Sequence, residues 1–226
     1  PLRDANNVNG YIPKASQSGR FLLNDWTINS MHMISSSEFS TQDTEVLIVG
    51  DSVVNGGNPL SQSERIGEQL NSIQNRANIY SIADGSWSFK NSLNYIEQHL
   101  AQIDGTETIV FILNSGDFSS PTSWRCMSSH PTKKPLSHLY FALRKYFFSE
   151  CFDETPANLV VPDYEYVQKF EDIQNALDET HFIIFLFQNK NEYITSESLR
   201  NRLDINTTNF VQVYELIDFK AEWSVN

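Results

Sequence analysis

Apolar and polar positions along the chain fall into two textures that meet near residue 45. Residues 1–44 are polar and turn-rich, with scattered aromatics at Tyr11, Phe21, Trp26 and Phe39. They read as an N-terminal arm packed on a core. From Glu45 onward, short apolar runs alternate with helix-like stretches. Glu45–Gly50 (EVLIVG) is a continuous apolar run closed by glycine, the form of a strand buried on both faces. Asn78–Ile82 (NIYSI), Thr108–Leu113 (TIVFIL), His181–Phe187 (HFIIFLF) and Phe210–Tyr214 have the same character. Ser61-Gln62-Ser63-Glu64 is a capping-box pattern ahead of Ile66, Leu70 and Ile73 at helical spacing. Trp87–Ile103 places Leu93, Ile96, Leu100 and Ile103 on one helical face, and further helices are predicted near Asp163–Glu179 and Ser196–Leu203. The rhythm breaks over residues 118–162. This insertion holds Pro121, Pro131, Pro135, Pro156 and Pro162 around an aromatic helical piece, Leu136–Phe148. Strands alternating with helices predict the α/β class, as a three-layer α/β/α sandwich on a flavodoxin-like parallel sheet of about five strands. Ligands on such sheets bind beyond the C-terminal strand ends.

Length and composition narrow the picture. The 226 residues suit one domain, and 40% hydrophobic with 12% aromatic residues is enough for a packed core. Against 28 Asp plus Glu stand 16 Lys plus Arg, a net charge of -12 that argues against nucleic acid or an anionic membrane as partner. No apolar run approaches the ~20 residues of a membrane span. Pro1 is not a natural start, so an upstream segment is expected to have been removed. Cys126 and Cys151 cannot alone make a four-ligand zinc site. They can form one disulfide, and the chain would then work outside the cytosol, in a periplasm or as a secreted protein. No Walker loop, G-x-G-x-x-G or H-E-x-x-H sequence is present, so neither a cofactor nor a metal is expected.

Candidate chemistry stands just after the first three core strands. Gly50-Asp51-Ser52-Val53-Val54-Asn55-Gly56-Gly57 puts a serine at a strand end among glycines, ahead of a helix. That is a nucleophile's position, where turn N–H groups can face a developing oxyanion. Ala83-Asp84-Gly85-Ser86 follows the second strand. Gly85 can offer an N–H toward Ser52 or serve as a plain turn residue. Asn114-Ser115-Gly116-Asp117 follows the third. Asn114 can donate to an oxyanion and Asp117 can bond the loop, though both are also ordinary loop formers.

Together these pieces resemble the SGNH (GDSL-type) hydrolase family over the core from about Glu45 onward. Gly50-Asp51-Ser52 with Gly56 is similar to the block that carries the nucleophile, and Gly85 to the second-block glycine. The third block is usually Gly-x-Asn-Asp. Here Asp117 matches its last position, while asparagine and glycine have exchanged places. The resemblance implies Ser52 as nucleophile, an oxyanion hole of Ser52, Gly85 and Asn114, and supporting roles for Asp51 and Asp117. It also places the general base in an Asp-x-x-His loop beyond the last strand. Ala221 stands three residues after Asp218, and no histidine follows His181. The expectation is therefore that residues 45–226 form an SGNH-like domain without its C-terminal loop and helix, or a member without the base. None of His32, His99, His130, His138 and His181 is adopted in its place. The implied function is a serine esterase or O-acyltransferase acting on acyl, especially acetyl, esters of an envelope or extracellular carbohydrate. The alternative is a non-catalytic carbohydrate-binding or assembly module with the same fold.

Overall fold

The structure, a computed structural model, describes residues 3–21, 23–40, 44–57, 59–74, 78–125, 137, 139, 140, 143, 147, 155–187 and 210–212. Cys126, Cys151, His130, His138 and the helix expected at Ser196–Leu203 lie outside them, as do eight of the thirteen residues of Leu136–Phe148.

The arm is more regular than its composition suggests. It makes two antiparallel hairpins, β1 (Arg3–Asn6) with β2 (Gly10–Pro13), and β3 (Gln17–Phe21) with β4 (Asn24–Ile28). Beyond it run β5 (Thr44–Gly50), the one-turn helix α1 (Ser52–Asn55), α2 (Ile66–Gln74) and β6 (Asn78–Ala83). Helices α3 (Phe89–Gln98) and α4 (Leu100–Ile103) lead into β7 (Thr108–Asn114). After the insertion come α5 (Tyr166–Ala176), β8 (His181–Phe187) and β9 (Phe210–Gln212). The core strands lie in the order β6-β5-β7-β8-β9, and every neighbouring pair is parallel. The chain is of the α/β class.

Period-two alternation divides the core between the two sheet faces. Leu47, Val49, Ile109, Phe111, Phe182 and Ile184 join the larger cluster with Phe89, Leu93 and Ile96 of α3 and Phe170 and Ile173 of α5. Ile48, Ile79, Ala83 and Ile112 join the smaller one with Val54 of α1, against which Ile66 and Leu70 of α2 pack. A parallel strand covered on both faces reads as an unbroken apolar run, which is why β5 and β7 stand out in the sequence.

Two helix expectations are revised. The capping box closes a 3-10 turn, Gln62–Glu64, and not α2 itself, with Ser61 N–H and Oγ both donating to Glu64 Oε2 at 2.8 Å. Arg65 then turns extended, so α2 begins afresh at Ile66 and its stripe is narrower, leaving Ile73 exposed. The long helix expected at Trp87–Ile103 breaks at His99. Its start is fixed by Ser88, whose Oγ accepts from Asn91 N–H while Ser88 N–H donates to Asn91 Oδ1 at 3.0 Å.

The arm covers the outer side of α3. Asn91 Nδ2 donates to Asn9 O at 3.1 Å, Tyr95 Oη to Met31 O at 2.7 Å, and Trp87 Nε1 to Tyr11 O at 2.8 Å. Polar residues of α3 that would otherwise face water, Asn91, Ser92 and Asn94, are therefore buried but bonded.

Candidate active site

Strand register decides which loops meet. Gly50 of β5 pairs with Ala83 on one side and Ile112 on the other. Ser52, Gly85 and Asn114 each stand two residues beyond that rung, so adjacent strand ends carry them side by side. Counted within the parallel sheet, the strand order is 2-1-3-4-5, and the order reverses between β5 and β7, where α/β sheets open a crevice for ligands. The three residues singled out from sequence lie at that point.

The turn carrying Ser52 depends on small residues. A Cβ on Gly50 would come within 2.5 Å of Val54 Cγ2 and 2.8 Å of Ile112 O, so only glycine lets β5 pass this closely. Gly56 ends α1 with φ 70°, the left-handed region that glycine adopts without strain, and its N–H donates to Ser52 O. Asp51 caps the other end, accepting from Val53 N–H at 2.8 Å. Asn55 Nδ2 donates to Ala83 O at 3.1 Å, tying α1 to the end of β6. Ser52 is exposed at the mouth of this turn, and its Oγ lies 3.5 Å from Asp51 Oδ2.

Asp51, Asn114 and Asp117 form one polar cluster. Asn114 Nδ2 donates to Asp51 Oδ2 and to Asp117 Oδ2, both at 3.0 Å, while Asn114 N–H reaches Asp117 Oδ2 at 2.8 Å. Asn114 Oδ1 accepts from Gly116 N–H at 2.8 Å and closes a 3-10 turn, Ser115–Phe118. The expected oxyanion donor is thus held as a bracket between two buried carboxylates. Burial, the largest cause, together with the Asp51 charge pushes Asp117 up to about 7, against the pull of the Asn114 donors.

Gly85 is also engaged. Its N–H donates to Asp84 Oδ1 at 2.7 Å, and its carbonyl accepts from Tyr11 Oη. Asp84 is buried and paired with Arg3, whose Nε reaches both carboxylate oxygens, at 2.8 and 2.6 Å. So the arm, silent in the motif reading, supplies Arg3 and Tyr11 to shape the second loop. Those two residues gave no sequence signal, since their partners are 81 and 74 positions away.

A second residue that motif reading missed is Arg65, which resembles any helix-surface arginine in sequence. It is 5% exposed and donates Nη1 to Asn55 O and, at 3.1 Å, Nη2 to Gly57 O. These bonds fix the loop that follows Ser52. Burial lowers its affinity for a proton from the ordinary guanidinium value.

Among the described residues no histidine joins this cluster. His181 begins β8, at the opposite strand end, and His32 and His99 line a cavity elsewhere. Nor is any group of three His, Cys, Asp or Glu among the described residues placed to hold a metal ion. The site offers a serine hydroxyl, amide donors and two carboxylates, a set suited to acyl transfer once a proton acceptor is present. No protein-family model, no curated protein and no solved structure matches the chain.

Proposed function

We propose that this chain is a serine esterase or O-acyltransferase of the SGNH type, built as a three-layer α/β/α sandwich on a flavodoxin-like sheet. Its substrate would be an acyl, especially acetyl, ester of an extracellular or envelope carbohydrate. The observation that carries the reading is the register: Ser52, Gly85 and Asn114 stand on adjacent strand ends, two residues past one rung. In this reading Ser52 Oγ attacks the ester carbonyl, its proton passes to an imidazole, and the C–O bond to the alcohol breaks as that alcohol takes the proton back. Ser52 N–H, at the start of α1 where no intrahelical acceptor exists, is the first oxyanion donor. Gly85 N–H and Asn114 Nδ2 join it by exchanging a carboxylate for the oxyanion. No Asp-x-x-His follows the last strand within residues 1–226, since the one such spacing, Asp178 to His181, leads into the start of β8, and supply of the base from elsewhere is part of the proposal. That same absence favours a second reading, a non-catalytic carbohydrate-binding or assembly module.

A fluorophosphonate probe separates the two. Attachment to Ser52, mapped by peptide mass spectrometry and abolished in Ser52→Ala, is expected for the esterase. Labelling that survives the substitution would overturn the assignment of Ser52, and none while folding is intact favours the module.

Location belongs to the same proposal: a periplasmic or secreted protein with Cys126 joined to Cys151. Closing a loop of that length contributes about 3–4 kcal/mol in the chain-entropy model. Thiol titration of denatured, unreduced protein is expected to find none. Two reactive thiols would remove the case for an oxidising compartment. No described helix is long and apolar enough to cross a membrane.

A further inference from the structure

Helix α3 starts beside the candidate active site and runs back along the sheet for ten residues, about 15 Å. At its far end a cavity of about 450 Å³ opens between the arm and the helix, lined by Asp4, Asn6, Asn9, Ile12, His32, Gln98 and His99. That volume is in the range of small-molecule sites.

The two histidines are held in defined tautomers. His32 Nδ1 lies 2.7 Å from Pro13 O and His99 Nδ1 lies 2.8 Å from Tyr95 O. A carbonyl only accepts, so each Nδ1 carries a proton, and in the neutral ring it is Nε2 that keeps the lone pair. Burial, against the pull of the Tyr95 carbonyl and with a smaller repulsion from His32, holds His99 below the ordinary imidazole value. Asp4 adds a carboxylate, partly offset by Lys14 at 3.8 Å. Asn9 is 1% exposed. Its Nδ2 donates to Gln98 Oε1 at 2.6 Å, and its buried Oδ1 finds no donor among the described residues. Two imidazole lone pairs and a carboxylate ask for a cation, and an acidic chain attracts one. The amides of Asn6, Asn9 and Gln98 suit hydroxyl groups. A metal ion fits less well. The imidazole ring centres are 6.3 Å apart, whereas sharing one tetrahedral zinc would bring them to about 5 Å.

We propose that this cavity binds a small hydroxylated amine of the amino-sugar class, its ammonium group between His32, His99 and Asp4 and its hydroxyls on the neighbouring amides. The site is separate from Ser52 and does not depend on the esterase reading. The titratable groups about the imidazoles are each other, the Tyr95 ring packed on His99 at 4.3 Å, and Asp4 of β1, which Lys14 pairs with at 3.8 Å.

The test follows the imidazole C–H resonances of the whole chain by NMR as glucosamine is added, with glucose and ammonium chloride as separate probes. Expected are saturable shifts of His32 and His99, with His181 unmoved. Glucose and ammonium chloride should each bind at least about tenfold more weakly, since each lacks one half of the ligand. Asp4→Asn is expected to weaken binding about three- to tenfold. Lowering the pH until the His99 ring is protonated should abolish it, because a cationic ring repels the amine. His32→Asn offers a variant that keeps the fold, since His32 has φ 62° and asparagine tolerates that conformation. It should lose the response of His99. No saturable shift, or equal binding of glucose or of ammonium chloride, would overturn the proposal.

Discussion

Phe89→Ala is expected to lower the unfolding free energy by about 3–5 kcal/mol, the range for emptying an aromatic-sized space in a core. Phe89 is 0% exposed. Its ring stands 5.2 Å from that of Phe111, 5.7 Å from Phe118 and Phe170, and 5.8 Å from Tyr166. Those partners come from β7, the turn after it and α5, so no single neighbour can move in to fill the space without breaking another contact. Edge-to-face geometry with Phe111, at 89°, adds a directional contribution that an aliphatic replacement would lose as well. Phe89 also opens α3 directly behind the Ser88 cap, which leaves the backbone there little freedom to collapse inward. Ile73→Ala is the control: Ile73 is 74% exposed, and its loss should stay within about 0.5 kcal/mol. Urea unfolding of both variants, with unchanged denaturant slope, measures the contrast. A loss under about 1 kcal/mol for Phe89→Ala would mean that the aromatic cluster is not packed as described.

The parallel strands were legible because their signal is local. His181–Phe187 is found with the boundaries read from its apolar run, β5, β6 and β7 differ by a residue at one end, and the run read at Phe210–Tyr214 is described over Phe210–Gln212, as a strand. The arm was not legible, because its strands do not bury a continuous face. In β1 all four residues stay at least partly accessible, whereas all four of β2 are buried against elements far along the chain. Helix α3 shows the complementary difficulty. Its Asn91 and Asn94 look solvent-facing by periodicity, yet the arm closes over them and takes up their hydrogen bonds.

Within the candidate site, motif spacing identified the residues but not their present bonds. Gly85 and Asn114 are read as donors because they follow strands. Their donors are occupied, one by Asp84 and the other by Asp51 and Asp117. The first of these depends on Arg3 holding Asp84, a contact across 81 residues. The second depends on the Asp117 carboxylate, which the sequence marks as a loop former and, through the resemblance, as a supporting residue, but not as the partner of Asn114.

Asp117 is expected to make the chain less stable as the pH rises. A carboxyl group raised from 3.8 to about 7 binds its proton more tightly folded than unfolded. Its contribution to stability is therefore fully present below pH ~4 and is lost as the pH rises through about 7. At about 1.4 kcal/mol per pH unit between 3.8 and about 7, the loss amounts to about 4 kcal/mol once the pH is above about 7. Burial is the principal cause, and Asp51, on the other side of the Asn114 amide, adds repulsion once Asp117 ionises. Asp117→Asn removes this titration while keeping a carbonyl oxygen to accept from Asn114 N–H and Nδ2. Below about pH 4 the two proteins should therefore differ little, apart from the cost of seating the new amide NH₂. Above about pH 7 the variant should gain on the wild type by up to about 4 kcal/mol. The measurement is the unfolding free energy of both proteins across this range at fixed ionic strength, so that screening of the -12 net charge does not vary. A difference that stays constant with pH would show that Asp117 does not carry the proton, and that the Asn114 bracket holds two ordinary carboxylates.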